Sequence, residues 1–167
     1  MSFTPRLTAP SQNNPYYYSN LNPYYANGVG MPNCTAYCYG RTYEVNGVAP
    51  TLYYGNAKDW YAGTTTFPKG STPALGSIIC FGGGSQGLGH VAFVEEMLSN
   101  GAVLCSESIY NSVVFQLHTY TYPYSTGALV FQGFIYVYSG GPSPGPTMRS
   151  KFNFVLFNRK RRWQRYG

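Results

Sequence analysis

The chain has 167 residues, enough for one domain with a proper core and short for two. Charged residues are only 10% while tyrosine reaches 18 copies, a composition that favours strands and turns over long solvated helices. The formal charge of +6 belongs to the C-terminal end, and no apolar run approaches the roughly 18 residues that a membrane span needs.

In chain order, "MSFTPRLTAPSQNN" has no apolar core of a secretory signal, so the expectation is synthesis in a bacterial cytoplasm with all four cysteines as thiols. Residues 1–26, rich in Tyr, Asn and Pro, read as an irregular arm. The folded body is expected over 27–138. Asn33 is a good N-cap, predicting a helix through "CTAYCY" towards Gly40, and "YYGNAKDWYAG" holds a second short helix. After "TPALG" the pattern turns to strands: "SIICF", "HVAFVEE", "AVLCSE", "VVFQLHTY" and "VFQGFIYVY". They are rich in β-branched and aromatic residues and are separated by turn signals such as Asn100-Gly101. Residues 139–147, "SGGPSPGPT", are a Gly/Pro linker, and 148–167 form a basic, aromatic tail. Arg149, Lys151, Arg159, Lys160, Arg161, Arg162 and Arg165 all stand in it, which leaves residues 1–148 with four basic against five acidic residues. Helices first and strands afterwards predict an α+β fold, with N-terminal helices packed on an antiparallel sheet of about five or six strands.

Cys34 and Cys38 raise three readings. A disulfide within one helix fits S–S geometry poorly, and the reducing origin argues against it as well. Cys34, Cys38 and His90 could supply three zinc ligands, but strong zinc signatures use two tight pairs, and Cys80 and Cys105 lie in apolar strand patterns that read as core. A nucleophile has a direct physical cause: behind the Asn33 cap, Cys34 occupies the first turn of a helix, where free N–H groups and the macrodipole favour a thiolate and can hold an oxyanion. Its base would be one of two histidines. His118 sits inside "VVFQLHTY", an ordinary strand position, whereas His90 follows "GSQGLG", whose glycines let the backbone approach another element closely.

"NCTAYCYGR", "GNAKDW", "PALGSI" and "GHVAFVEE" occur here in the order and spacing of the CHAP domains, the cysteine- and histidine-dependent amidohydrolase/peptidases, and residues 27–138 resemble that family. The resemblance implies a papain-like fold and hydrolysis of a peptidoglycan amide bond, as an N-acetylmuramoyl-L-alanine amidase or a peptide endopeptidase. It also implies Cys34 as nucleophile, His90 as general base, and an orienting carboxylate or amide within an E-x-N pattern. Glu107 stands at that distance, but Ile109 replaces the Asn, and Asn111 is the nearest amide. A two-residue Asn100-Gly101 turn would set Asn111 opposite His90, whereas a longer loop over Met97–Gly101 would bring Glu107 close. Family spacing favours Glu107, with Asn111 as the alternative. Asn33 is a helix cap or an oxyanion support. Trp60 is weighed between a substrate groove and the core, and Arg41 reads as a structural ion pair. With Asp59 as the body's one aspartate, neither a calcium site nor any other metal or cofactor is expected.

The tail could grip an anionic partner or be simply solvated. No nucleic-acid reading motif accompanies it. Family members are commonly bacteriophage lysins, so the resemblance implies a virion-associated enzyme or an endolysin. It would act at the host wall, with phage tail or virion proteins as further partners of the arm and tail. The competing class is non-enzymatic: a papain-like fold kept as a structural or wall-binding part of a particle.

Overall fold

A computed structural model describes residues 3–140, so the tail expected over 148–167 and most of the linker lie outside the described residues. Four helices precede six strands: α1 (Pro15–Tyr18), α2 (Pro23–Ala26), α3 (Cys34–Asn46), α4 (Ala57–Gly63), β1 (Lys69–Gly70), β2 (Ile78–Gly83), β3 (His90–Met97), β4 (Val103–Ile109), β5 (Val113–Tyr120) and β6 (Leu129–Ile135). The strands form one antiparallel sheet in the order β1-β6-β2-β3-β4-β5, as the α+β reading expected.

The central helix begins where the sequence predicts, with the Asn33 side chain accepting the Thr35 N–H. It does not end near Gly40. It continues to Asn46 and stops at Gly47, whose left-handed backbone (φ 69°) directs its N–H to the Tyr43 carbonyl. Gly40 serves a different purpose: a Cβ there would lie 2.7 Å from both the Tyr16 carbonyl oxygen and the Tyr17 ring, so glycine allows α1 to cross directly over α3.

That crossing explains the weak amphipathic signal of α3. Residues 34–42 are buried without a break, because the sheet covers one side of the helix and the N-terminal segment covers the other. The segment read as an irregular arm carries two single-turn helices, each opened by an Asn cap followed by proline: Asn14-Pro15 and Asn22-Pro23. Its Tyr17 and Tyr24 share one core cluster with Cys38, Trp60, Cys80 and Phe93. A second cluster, around Phe81, Val94, Cys105, Tyr124 and Phe134, lies on the other face of the sheet.

Beneath α3 lies a buried ion network. Arg41 grips Glu95 through two hydrogen bonds of 2.9 Å, from Nε to Oε1 and from Nη2 to Oε2. Its Nη1 donates to Glu44 at 2.8 Å, and Nη2 also donates to the Thr4 carbonyl at 2.7 Å. Arg6 joins through its backbone N–H to Glu95 at 2.9 Å and its guanidinium to Glu44. Arg41 is thus the structural ion pair that its sequence position suggested.

Glu95 is also the extra residue of a β-bulge. Near the β3–β4 loop, Met97 pairs with Val103 and Glu96 with Leu104; beyond the bulge, Val94 pairs with Cys105 and Phe93 with Ser106. The loop itself is neither of the two alternatives weighed on the sequence. It spans residues 99–101, closed by Leu98 N–H to the Ala102 carbonyl at 2.9 Å.

Candidate active site

Strand alternation decides which side chains can meet. Phe93 faces Ser106, so His90, three residues back, and Glu107, one residue on, both point to the opposite face of the sheet. Had the loop register continued without the bulge, Glu107 would have been paired onto the face of Phe93, away from His90. His90 Nε2 and Glu107 Oε2 lie 2.8 Å apart. Asn111, the alternative partner, is exposed in the β4–β5 turn with a left-handed backbone (φ 53°), and its N–H donates to the Pro32 carbonyl just before α3.

Gly89 sets the approach of His90. Its φ is +75°, and a Cβ would sit 2.4 Å from the Phe81 carbonyl oxygen and 2.5 Å from the Lys58 backbone nitrogen. The neighbouring Leu88 carbonyl accepts the Lys58 N–H at 2.9 Å. The glycine-rich approach therefore does what the sequence suggested: it lets the strand entry touch the start of α4.

Cys34 comes to the same place from α3. It is 8% exposed, as is His90, and the two line one cleft of about 680 Å³. Because Nε2 of the imidazole is taken by Glu107, Nδ1 is the nitrogen left for the thiol. Burial alone works against the imidazolium, but the neighbouring Cys34 and Glu107 outweigh it and raise His90 to about 9. Burial likewise opposes the Glu107 carboxylate, yet His90, Gln116 and Tyr120 together hold it below the ordinary carboxylate range.

Asn33 spends its side chain on local structure. Oδ1 accepts from the Thr35 N–H at 2.9 Å and the Thr35 hydroxyl at 2.7 Å, while Nδ2 donates to the Val29 carbonyl at 2.9 Å. Trp60 is fully buried and donates from Nε1 to the Tyr24 hydroxyl at 3.2 Å, so it belongs to the core and does not reach the cleft. The exposed tyrosines at the cleft are Tyr54 and Tyr110, each about half exposed, while Tyr24 and Tyr120 line it from within the core. Cys38, Cys80 and Cys105 are fully buried free thiols, with burial pushing each upward. Among the described residues no group of three His, Cys, Asp or Glu is arranged to hold a metal ion.

Three residues of β5 were not identified from the sequence. Gln116 Nε2 donates to Glu107 Oε1 at 2.6 Å and the Tyr120 hydroxyl to Oε2 at 2.7 Å. His118, which read as an ordinary strand histidine, lines the cleft with Nδ1 3.9 Å from Glu107 Oε1. Their spacing of two was the available signal, but it points to the site only once β4 and β5 are known to be neighbours.

Comparison with known proteins adds three findings. A family model described as CHAP domain matches residues 24–109. A curated relative from Staphylococcus aureus, "Probable autolysin SsaALP", is 31% identical over 124 residues, covering 73% of this chain and 44% of the relative. A solved N-acetylmuramoyl-L-alanine amidase from Staphylococcus aureus is 27% identical, with a TM-score of 0.48 over 62% of this chain and 32% of that one. The chain spans less than half the length of the curated relatives it matches.

Proposed function

The chain belongs to the CHAP domain family, and from that premise we propose that it hydrolyses an amide bond of bacterial peptidoglycan with Cys34 as nucleophile. One observation carries the reading. His90 is tied to Glu107 through Nε2 at 2.8 Å, which leaves Nδ1 as the nitrogen for Cys34, the first residue of a buried helix, and both residues line the same cleft.

The reaction follows from that arrangement. The Cys34 thiolate attacks the amide carbonyl, and the oxygen that becomes negative is held by first-turn N–H groups of α3, which have no partner within the helix. Asn33 is the support of this step, because its cap fixes the first turn. The C–N bond breaks as His90 gives its proton to the leaving amine. Water then gives a proton back to His90 and adds its hydroxide to the thioester, releasing the acid and Cys34. Glu107 keeps the imidazole in the required tautomer and stabilises its charged form.

The test is mass spectrometry of Gram-positive peptidoglycan digested with the wild type and with Cys34→Ala. New amine ends with the wild type and none with the variant are expected, and the fragment masses name the scissile bond. Equal release by both proteins, or none by either across several wall types, overturns the proposal. A phage setting, in the virion or at lysis, is proposed on the family resemblance together with the sequence of the arm and the basic tail.

A further inference from the structure

We propose that Gln116 and Tyr120, on one face of β5, are positioning residues that clamp the Glu107 carboxylate so that a single, fixed oxygen meets His90. The inference rests on the triad reading above and concerns how this chain builds its third member without the Asn of the E-x-N pattern.

The carboxylate is held from both ends. Oε2 receives His90 at 2.8 Å and the Tyr120 hydroxyl at 2.7 Å, and Oε1 receives the Gln116 amide at 2.6 Å. Glutamate has three side-chain torsions, and a lone contact to His90 would leave it free to rotate or to exchange oxygens. With a donor on each oxygen the plane of the group is set. Charge-assisted bonds of this kind are the stronger class.

The strand geometry suits the purpose. Glu107 pairs directly with Gln116, and the register shifts immediately afterwards, so that Ile109 pairs with Val113. The amide that Ile109 cannot supply therefore arrives from the neighbouring strand. Tyr120, four residues along on the same face, packs on Phe81 with ring centroids 4.9 Å apart, and Phe81 also stacks on His90 at 6.4 Å. Burial and the Glu107 charge keep its hydroxyl protonated, so it stays a donor. The other titratable groups facing Glu107 are His118, at 3.9 Å, and the buried thiols of Cys38 and Cys105. None of these donates a hydrogen bond to the carboxylate at a comparable distance.

The experiment uses the full chain with Gln116→Met, Tyr120→Phe and the double variant, each removing a donor at nearly constant volume. The measurements are kcat and KM on peptidoglycan, the NMR titration of the His90 ring, and thermal unfolding. In the folded double variant kcat is expected to fall about 10- to 100-fold, the range carried by outer hydrogen-bond partners of ligating histidines. KM should stay unchanged and His90 should titrate at lower pH than in the wild type, because Glu107 no longer rests against it. An unchanged His90 titration in a folded variant overturns the clamp, whatever the rate does. If Tyr120→Phe does not fold, Gln116→Met alone decides, since Gln116 is on the sheet edge and half-buried. Should the wild type cleave no peptidoglycan, the assigned reaction fails, while the titration still decides the clamp.

Discussion

His90 and Glu107 illustrate how burial and pairing work against each other in one pair of side chains. Desolvation disfavours both charges, and their contact at 2.8 Å, together with Cys34, reverses the balance. On the proposed mechanism the imidazolium is the acid that the leaving amine needs, so kcat/KM should fall as pH rises through about 9, the value His90 holds. Glu107→Gln removes a cause of that elevation. The basic limb should then move towards the ordinary imidazole value of about 6.5, with kcat lower by about a hundred- to ten-thousandfold, which a pH–rate profile would measure. Stability carries the same signs. The contribution of His90 is complete below its unfolded value of about 6.5 and is lost as pH rises through about 9. That of Glu107 is present above its ordinary value and is lost as pH falls through its lowered one. Thermal unfolding of the wild type should therefore show a plateau between these limits, and Glu107→Gln should flatten both edges.

Elements set these distances through two local departures from regularity. The Glu95 bulge places Glu107 on the face of His90 and, at the same residue, sends a carboxylate to Arg41. Arg41→Met leaves Glu95 buried and lacking its main partner. The expected loss is about 3–5 kcal/mol in urea unfolding, the usual cost of breaking a buried pair. At the start of β3, Gly89→Ala would force a Cβ against the Phe81 and Lys58 backbones in a left-handed conformation. A destabilisation of at least about 1–3 kcal/mol is expected, with a lower kcat because His90 is displaced. A Gly89→Ala protein with wild-type unfolding and activity would contradict the close approach.

At the scale of the whole molecule, the N-terminal segment completes the fold that holds the site. Phe3 lies under the Arg41 guanidinium and beside the Phe93 ring, the Thr4 carbonyl accepts from Arg41, and the Arg6 N–H donates to Glu95. Removing residues 1–8 strips charge-assisted bonds from a buried network. It should lower stability by about 2 kcal/mol or more, measurable as a lower urea midpoint with Cys34 and His90 untouched. The sequence by itself determined the class of fold, five of the six strands, the helix that opens at Asn33, and Cys34, His90 and Glu107 as candidates. Those features are written in local chemistry: caps, turn residues, alternating strands and motif spacing. Asn14-Pro15 and Asn22-Pro23 were equally local and announce the two single-turn helices that were not identified. Only the tertiary structure decided the bulge at Glu95, the crossing at Gly40, the burial of Trp60, and Gln116 and Tyr120 as partners of Glu107. Each of these depends on which strand or helix lies alongside. Contact across the fold follows from register and packing between segments distant in the chain, and a sequence pattern, being local, carries no direct record of either.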